Sequence, residues 1–167
     1  FPQENYLTVA ENFFEIIEKR YLKNKVFHSY SQDLAFVDDY AFLIQCLLDL
    51  SDSTMNSKYK IFAKKYCDEV IDKFYVSEKK IFQKNDKSTN DIFIKPIDIS
   101  DNTTANANSI MLINFIRLGF IKEAKELSES LYGYLNIYKN YMTSSLKALD
   151  FYKQLNIVKK CGPDGCE

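Results

Sequence analysis

The chain has 167 residues, 46% hydrophobic and 27% charged, with a net charge of −1; that supports an ordinary core and lacks the basic stripe that nucleic-acid binding demands. Four glycines and three prolines leave little turn chemistry for an all-β protein. The longest apolar runs, Tyr40 to Leu50 and Ile110 to Ile121, are too short to span a bilayer and are broken by Gln45, Asp49, Asn114 and Arg117. Neither nucleic acid nor a membrane is therefore an expected partner.

From about Asn5 to Leu22 the apolar side chains Tyr6, Ala10, Phe13, Ile17 and Tyr21, joined by Leu7 and Phe14, recur at helical spacing. Glu11, Glu15, Glu18, Lys19 and Arg20 lie mostly outside that stripe. This spacing predicts an amphipathic helix. A connector follows in which residues 26–30 read as an extended arm. It holds His28, the only histidine, expected to be an ordinary exposed one. A histidine-pair mechanism cannot be built from it.

From Tyr40 to Leu50 the chain is apolar almost all round, and Asp38 or Asp39 is placed to cap the start. That predicts a buried helix with an acidic N-terminus. Ser57 to Tyr75 returns to the amphipathic kind, with Tyr59, Phe62, Ala63, Tyr66, Val70 and Phe74 on one face. Ile81-Phe82 and Ile92-Phe93-Ile94 read as two short strands separated by the polar loop Gln83 to Asp91, a short β-arm near 80–95.

A dense polar passage, Ile94 to Ser109, then runs into the apolar segment Ile110 to Leu118, with Gly119 placed to end the helix. Short Asn, Asp, Ser and Thr side chains can cap the unpaired N–H groups of a buried helix, and the same place can serve as a pocket rim. A third amphipathic helix runs from Ile121 to Leu135. Thr143-Ser144-Ser145 can cap a last one containing Leu146, Ala148, Leu149, Phe151, Tyr152 and Leu155. From Val158 the chain is a charged tail.

Cys46 and Cys67 fall inside helical patterns, where cysteine behaves as a small buried hydrophobe. Cys161 and Cys166 close the chain around Gly-Pro-Asp-Gly, a spacing for a small disulfide loop or half a metal site. Two thiols with no further ligand do not make a zinc centre, so no metal or cofactor is expected. The default is a reduced, cytoplasmic protein. Beginning at Phe1, the chain reads as a fragment or a trimmed product.

Amphipathic and buried helices alternate. Hairpins of that kind build two concentric rings, and inner helices pointing one way would bring Asp38-Asp39-Tyr40, Thr103 to Ser109 and Thr143 to Ser145 to one end. A plain bundle or a solenoid explains the same pattern with no pocket.

Phe36-Val37-Asp38-Asp39-Tyr40-Ala41-Phe42-Leu43-Ile44 resembles the Phe-Leu-Asp/Glu-Asp-Tyr-Ala-Phe-Leu-Ile signature of the YyaL / spermatogenesis-associated thioredoxin-domain proteins. Ile94-Lys95-Pro96 is similar to that family's Arg-Pro-Lys neighbourhood, and Asp101 to Ser109 to its Asp-Gly-Ala-x-Pro-Ser-Gly-Asn-Ser run. Leu146-Lys147-Ala148-Leu149-Asp150 fits its Leu-x-Ala-Leu-Asp pattern. The resemblance implies an all-α fold, a partial (α/α)6 toroid of the six-hairpin glycosidase type, related to N-acylglucosamine 2-epimerases. About three helical hairpins are visible, so residues 1–157 would be the C-terminal half of the ring and 158–167 a tail with a Cys pair. Its implied partners are the remaining half of the toroid, a thioredoxin-like domain and a carbohydrate-like small molecule.

Sugar-processing toroids set carboxylates across a central pocket, one as acid and one as base or nucleophile. Asp39 and Asp101 are the catalytic candidates under this resemblance. Asp38, Tyr40, Lys95, Asn106, Asn108 and Ser109 are the binding candidates. Each also has a structural reading: Asp38 and Asp39 as caps, Asp101 as a loop brace, Asn108 as a partner for buried backbone. A non-catalytic toroid serving as a binding or interaction platform is the alternative function.

Overall fold

The computed structural model describes residues 6–22, 25–29, 31, 33–90, 93–162 and 165–166. The fold is all-α. Its helices are α1 (Tyr6–Tyr21), α2 (Val37–Thr54), α3 (Ser57–Phe74), α4 (Ala107–Leu118), α5 (Ile121–Tyr138) and α6 (Thr143–Lys160). Two hairpins of two-residue strands accompany them: β1 (Tyr75–Val76) with β2 (Ile81–Phe82), and β3 (Cys161–Gly162) with β4 (Gly165–Cys166). Among the described residues no helix is long and apolar enough to cross a membrane. The chain divides into two compact units, one of Phe1–Phe74 with Lys84–Lys95, the other of Tyr75–Gln83 with Pro96–Glu167.

In the first unit α2 is the core element. Val37, Tyr40, Ala41, Leu43, Ile44, Leu47, Leu48 and Leu50 are all buried on it. It packs chiefly on α3, which answers with Tyr59, Ala63, Tyr66, Cys67, Val70 and Phe74 at helical spacing. Met55 turns the chain out of α2 in the left-handed region (φ 57°). Asn56 then caps α3 by accepting the Lys58 N–H at 3.0 Å. On α1 only Phe14 is buried, its ring edge against Tyr59 at 5.5 Å. Tyr6 and Phe13, which the sequence places on the inner stripe, are exposed. The period admits two registers one residue apart, and the Phe14 one is used.

Tyr40 joins the two helices. Its ring lies 5.5 Å from Phe74 and 6.4 Å from Tyr66. Its hydroxyl donates to Glu69 at 2.6 Å and accepts from Lys73 at 3.0 Å. Burial, reinforced by the hydrogen bond and charge of Glu69, pushes its phenol well above the ordinary range. Its proton stays on.

The second unit is built around α4, buried on nearly all faces. Gly119 ends it with φ 81°. The Gly119 N–H reaches Ile116 O at 3.2 Å and the Phe120 N–H reaches Phe115 O at 2.9 Å, the paired bonds of a Schellman motif. Leu127 and Leu131 of α5 and Ala148 of α6 complete this core with Met142. Phe115 lies 5.7 Å from Phe82 and 5.9 Å from Phe120.

The β-arm differs from its sequence reading. Ile81-Phe82 does form a strand, but it pairs with Tyr75-Val76 in the register Tyr75↔Phe82 and Val76↔Ile81. Phe93 and Ile94 lie in a bend with their side chains out in solvent, and Ile92 is outside the described residues. A four-residue turn, with the Lys79 N–H on Val76 O at 3.1 Å, closes a shorter loop than the polar Gln83–Asp91 stretch would, at less entropic cost. In the tail, β3 and β4 make Cys161 and Cys166 register partners.

Tyr40 sets the first testable expectation. Tyr40→Phe removes hydrogen bonds but keeps the ring, and costs about 1 kcal/mol. Tyr40→Ala empties the α2–α3 seam and costs roughly 3–5 kcal/mol. Urea unfolding followed by circular dichroism separates the two; equal losses would contradict the packing role.

Candidate functional site

The first unit carries a cavity of about 350 Å³ at the start of α2. Phe36, extended at φ −92° and ψ 170°, precedes the helix as its N-cap. Asp39, three residues on, accepts the Phe36 N–H at 2.8 Å, which is the return half of a capping box. The same carboxylate also meets His28, whose Nδ1 lies 3.0 Å from each oxygen. A carboxylate only accepts, so Nδ1 holds a proton in this contact, and the neutral ring keeps Nε2 as an acceptor.

The arm that delivers His28 is fixed by its backbone. The Phe27 N–H donates to Tyr21 O at 3.0 Å and the His28 N–H to Asp33 O at 2.9 Å. The imidazole also meets the Phe36 ring edge-on at 5.0 Å.

Asp38, Asp39 and His28 line the cavity together with the aromatic rings of Tyr21, Phe27 and Phe42 and the thiol of Cys46. Aliphatic side chains from α1, the arm and α2 fill the remaining wall. The His28 side chain is 49% exposed and that of Asp39 25%. Cys67 is buried as its helical pattern implied, but Cys46 is exposed; partial desolvation, with the Asp49 charge, still pushes its thiol up. A raised thiol stays protonated and is a poor nucleophile. The cavity thus offers hydrogen bonding, charge and aromatic side chains rather than an activated sulfur. Among the described residues no group of three or more His, Cys, Asp or Glu side chains is disposed to hold a metal.

Asp101 belongs to the second unit, where it braces two helix starts. Its Oδ1 accepts from the Asn106 N–H at 3.0 Å, from Asn106 Nδ2 at 2.9 Å and from the Ser144 hydroxyl. Its Oδ2 accepts from the Ser144 N–H at 2.7 Å, which caps α6 from a distant loop. Asn106 is the N-cap of α4, its Oδ1 taking the Ser109 N–H and the Ser109 hydroxyl at 3.0 Å each. Its Nδ2 also reaches the Ser144 and Ser145 hydroxyls at 3.1 and 3.4 Å. Ser109 and Ser145 close the circuit, Oγ to Oγ at 2.7 Å. Of the three helix starts that the alternating pattern grouped, those of α4 and α6 converge, while the Asp38-Asp39-Tyr40 start belongs to the first unit.

Asn108 is 1% exposed and mimics a strand. Its Oδ1 accepts the Phe82 N–H at 2.9 Å, and its Nδ2 donates to Phe82 O at 3.1 Å and Asp98 O at 3.0 Å. Lys95 donates to the Lys87 carbonyl in the first unit. Of the eight residues singled out from sequence, Asp38 and Asp39 line the cavity. Tyr40 turns into the core, and Asp101, Asn106, Asn108 and Ser109 hold the second unit together.

His28 is exposed, as the sequence reading had it, but that reading foresaw neither its contact with Asp39 nor the place of Phe27 and Phe42 in the wall. The available signal was a lone histidine eleven residues before an acidic helix start, on an arm short enough to fold back onto it. Periodicity carries no information about such a return.

No family model matches the chain. Part of it is similar to the uncharacterized protein B0495.5 of Caenorhabditis elegans, at 34% identity over 101 residues. The match takes in 57% of this chain and 13% of that protein, so the chain corresponds to a small part of its relative's length.

The Asp101 brace sets a pH dependence. Burial alone raises its carboxyl, but hydrogen bonds from the Ser144 hydroxyl and N–H and from Asn106 outweigh that and hold it below the ordinary value of 3.8. A depressed folded-state value means stability that is complete above 3.8 and lost as pH falls through the lower folded value. Asp101→Asn lacks this contribution, so the stability gap to the native protein in urea narrows as pH drops below about 4. A gap unchanged from neutral to strongly acid pH would contradict the assignment.

Proposed function

We propose that the chain is part of a carbohydrate-handling helical domain whose ligand site is the His28–Asp39 cavity, and that this site binds rather than cleaves. The observation that carries the reading is the Asp39 carboxylate. It meets His28 in the wall of a cavity that combines aromatic side chains with hydrogen-bonding groups, the pairing sugar rings require. The volume is at the small end of ligand pockets and suits a monosaccharide-sized molecule.

Hydrolysis of a glycoside needs two carboxyl groups flanking the scissile bond. Asp38 and Asp39 are consecutive on one helix and project about 100° apart, so they do not face each other across a sugar. Asp101 has both oxygens committed to helix capping. These facts favour binding without turnover, and with it the platform role over a complete hydrolase. The resemblance to the YyaL / spermatogenesis-associated proteins supports the carbohydrate class through Phe36-Val37-Asp38-Asp39-Tyr40, the segment that contributes Asp38 and Asp39 to the cavity wall. Under the same proposal the hairpins belong to an (α/α)6 ring completed by further helices and accompanied by a thioredoxin-like domain.

Isothermal titration of the full chain against a monosaccharide panel tests the reading. At least one member binds with a Kd of about 1 mM or tighter, and His28→Ala and Asp39→Asn each weaken it by roughly tenfold, the loss of one charge-assisted hydrogen bond. The bound sugar is recovered unchanged by NMR. A panel with no binder, or binding indifferent to both variants, would remove the proposal.

A further inference from the structure

Beyond α6 the backbone sets two cysteines opposite one another. The helix runs to Lys160, and β3 (Cys161–Gly162) begins at the next residue and pairs antiparallel with β4 (Gly165–Cys166). The register places Gly162 against Gly165 and Cys161 against Cys166. Only Pro163 and Asp164 separate the two strands in sequence, and Pro-Asp-Gly is a composition that favours a tight turn. Residues directly opposite on an antiparallel pair have Cα atoms about 4.5 or 5.5 Å apart, according to whether that pair is hydrogen-bonded. A disulfide requires Cα atoms roughly 4.4–6.8 Å apart, so either kind of pair meets the requirement. A register slipped by one residue would turn the two positions to opposite faces of the hairpin. The spacing in the sequence therefore does not decide the matter; the strand pairing does. The other use of such a pair, half of a tetrahedral metal site, needs two further ligands. Among the described residues no group of three or more His, Cys, Asp or Glu side chains is disposed to hold a metal.

We propose that Cys161 and Cys166 are a modification site, a dithiol that closes to a disulfide by exchange with a small disulfide such as glutathione disulfide. One cysteine thiolate attacks a sulfur of the oxidant, forming a mixed disulfide and releasing one glutathione. The other thiolate attacks the protein sulfur of that mixed disulfide and releases the second glutathione. The two cysteines together lose two electrons and two protons, which the oxidant takes up in becoming two glutathiones. The loop to be closed contains four residues, and the strand pairing already holds its ends together. The second, intramolecular step therefore outruns glutathionylation of the second thiol. Cys46 and Cys67 are free thiols on α2 and α3 of the first unit and take no part. The pair lies wholly within the second unit, so the proposal holds whether or not the cavity binds a sugar.

The test equilibrates the full chain at neutral pH with glutathione and glutathione disulfide in varied ratio, quenches with acid and alkylates in urea. Trypsin then cuts after Lys160 and releases Cys161–Glu167 as one peptide. Mass spectrometry is expected to find that peptide two hydrogens lighter than the dithiol, with no alkyl group and no glutathione, while Cys46 and Cys67 are recovered alkylated. Cys161→Ser and Cys166→Ser should each leave the remaining cysteine carrying one glutathione, since no second thiol is there to displace it. Equilibration in urea removes the register and is expected to lower the equilibrium constant for the internal disulfide about tenfold. Both thiols alkylated in excess glutathione disulfide, glutathione on both cysteines, or a link to Cys46 or Cys67 overturns the proposal. So does an equilibrium constant unchanged in urea, because the sequence spacing alone would then account for the pair.

Discussion

A helix that packs into a core cannot leave its first-turn N–H groups unpaired, and α2 and α4 both answer that constraint with short polar side chains. The two solutions differ in whether the capping circuit closes on itself. At α4, Asn106, Ser109, Ser144, Ser145 and Asp101 satisfy one another in a loop, and a carboxylate from the preceding segment caps α6 within it. At α2, Asp39 caps the helix and then reaches out to His28. One start is finished internally; the other extends into a cavity.

That difference separates structure from site. A network whose donors and acceptors are all spent rigidifies a core, and removing one member leaves a buried group unpaired. Asn108 belongs to this class, since it gives Phe82 a strand-like partner and ties β2 to α4. Tyr40 does so too, with its hydroxyl held between Glu69 and Lys73. His28 belongs to the other class: one ring nitrogen is committed to Asp39, and the imidazole lines a cavity wall with Phe27 and Phe42. Fixing a tautomer while leaving the ring half in solvent costs little stability and prepares a polar contact for a ligand.

Helix count and the buried character of α4 were legible in the sequence, because periods of three and four residues report burial; α2, read as buried all round, instead leaves a stripe through Phe42, Cys46 and Asp49 exposed. The convergence of the Thr103–Ser109 and Thr143–Ser145 stretches was also legible, from the direction of successive helices. The partners of Asp101 were not. Pattern marks a carboxylate as available but cannot say that four donors will meet it. The β-arm was misread because Ile92-Phe93-Ile94 has the composition of a strand, while the four-residue turn after Val76 makes the nearer pairing. On α1 the choice between Phe13 and Phe14 depends on which ring finds Tyr59, and no local property decides it. The candidate site was half legible: Asp38 and Asp39 stood out, and the arm that brings His28 to them did not.

The central claim is that the α2 start is a ligand site and the α4–α6 start is a structural junction. Two-dimensional ¹H–¹⁵N correlation spectra of the full chain, recorded as the tightest-binding sugar is added, test it most directly. Shifts concentrated on His28, Asp38, Asp39, Phe42 and Cys46, with residues 98–109 and 143–145 unmoved, are the expected result. Perturbations centred on Asp101, Asn106 and Ser144, with His28 and Asp39 silent, would contradict it.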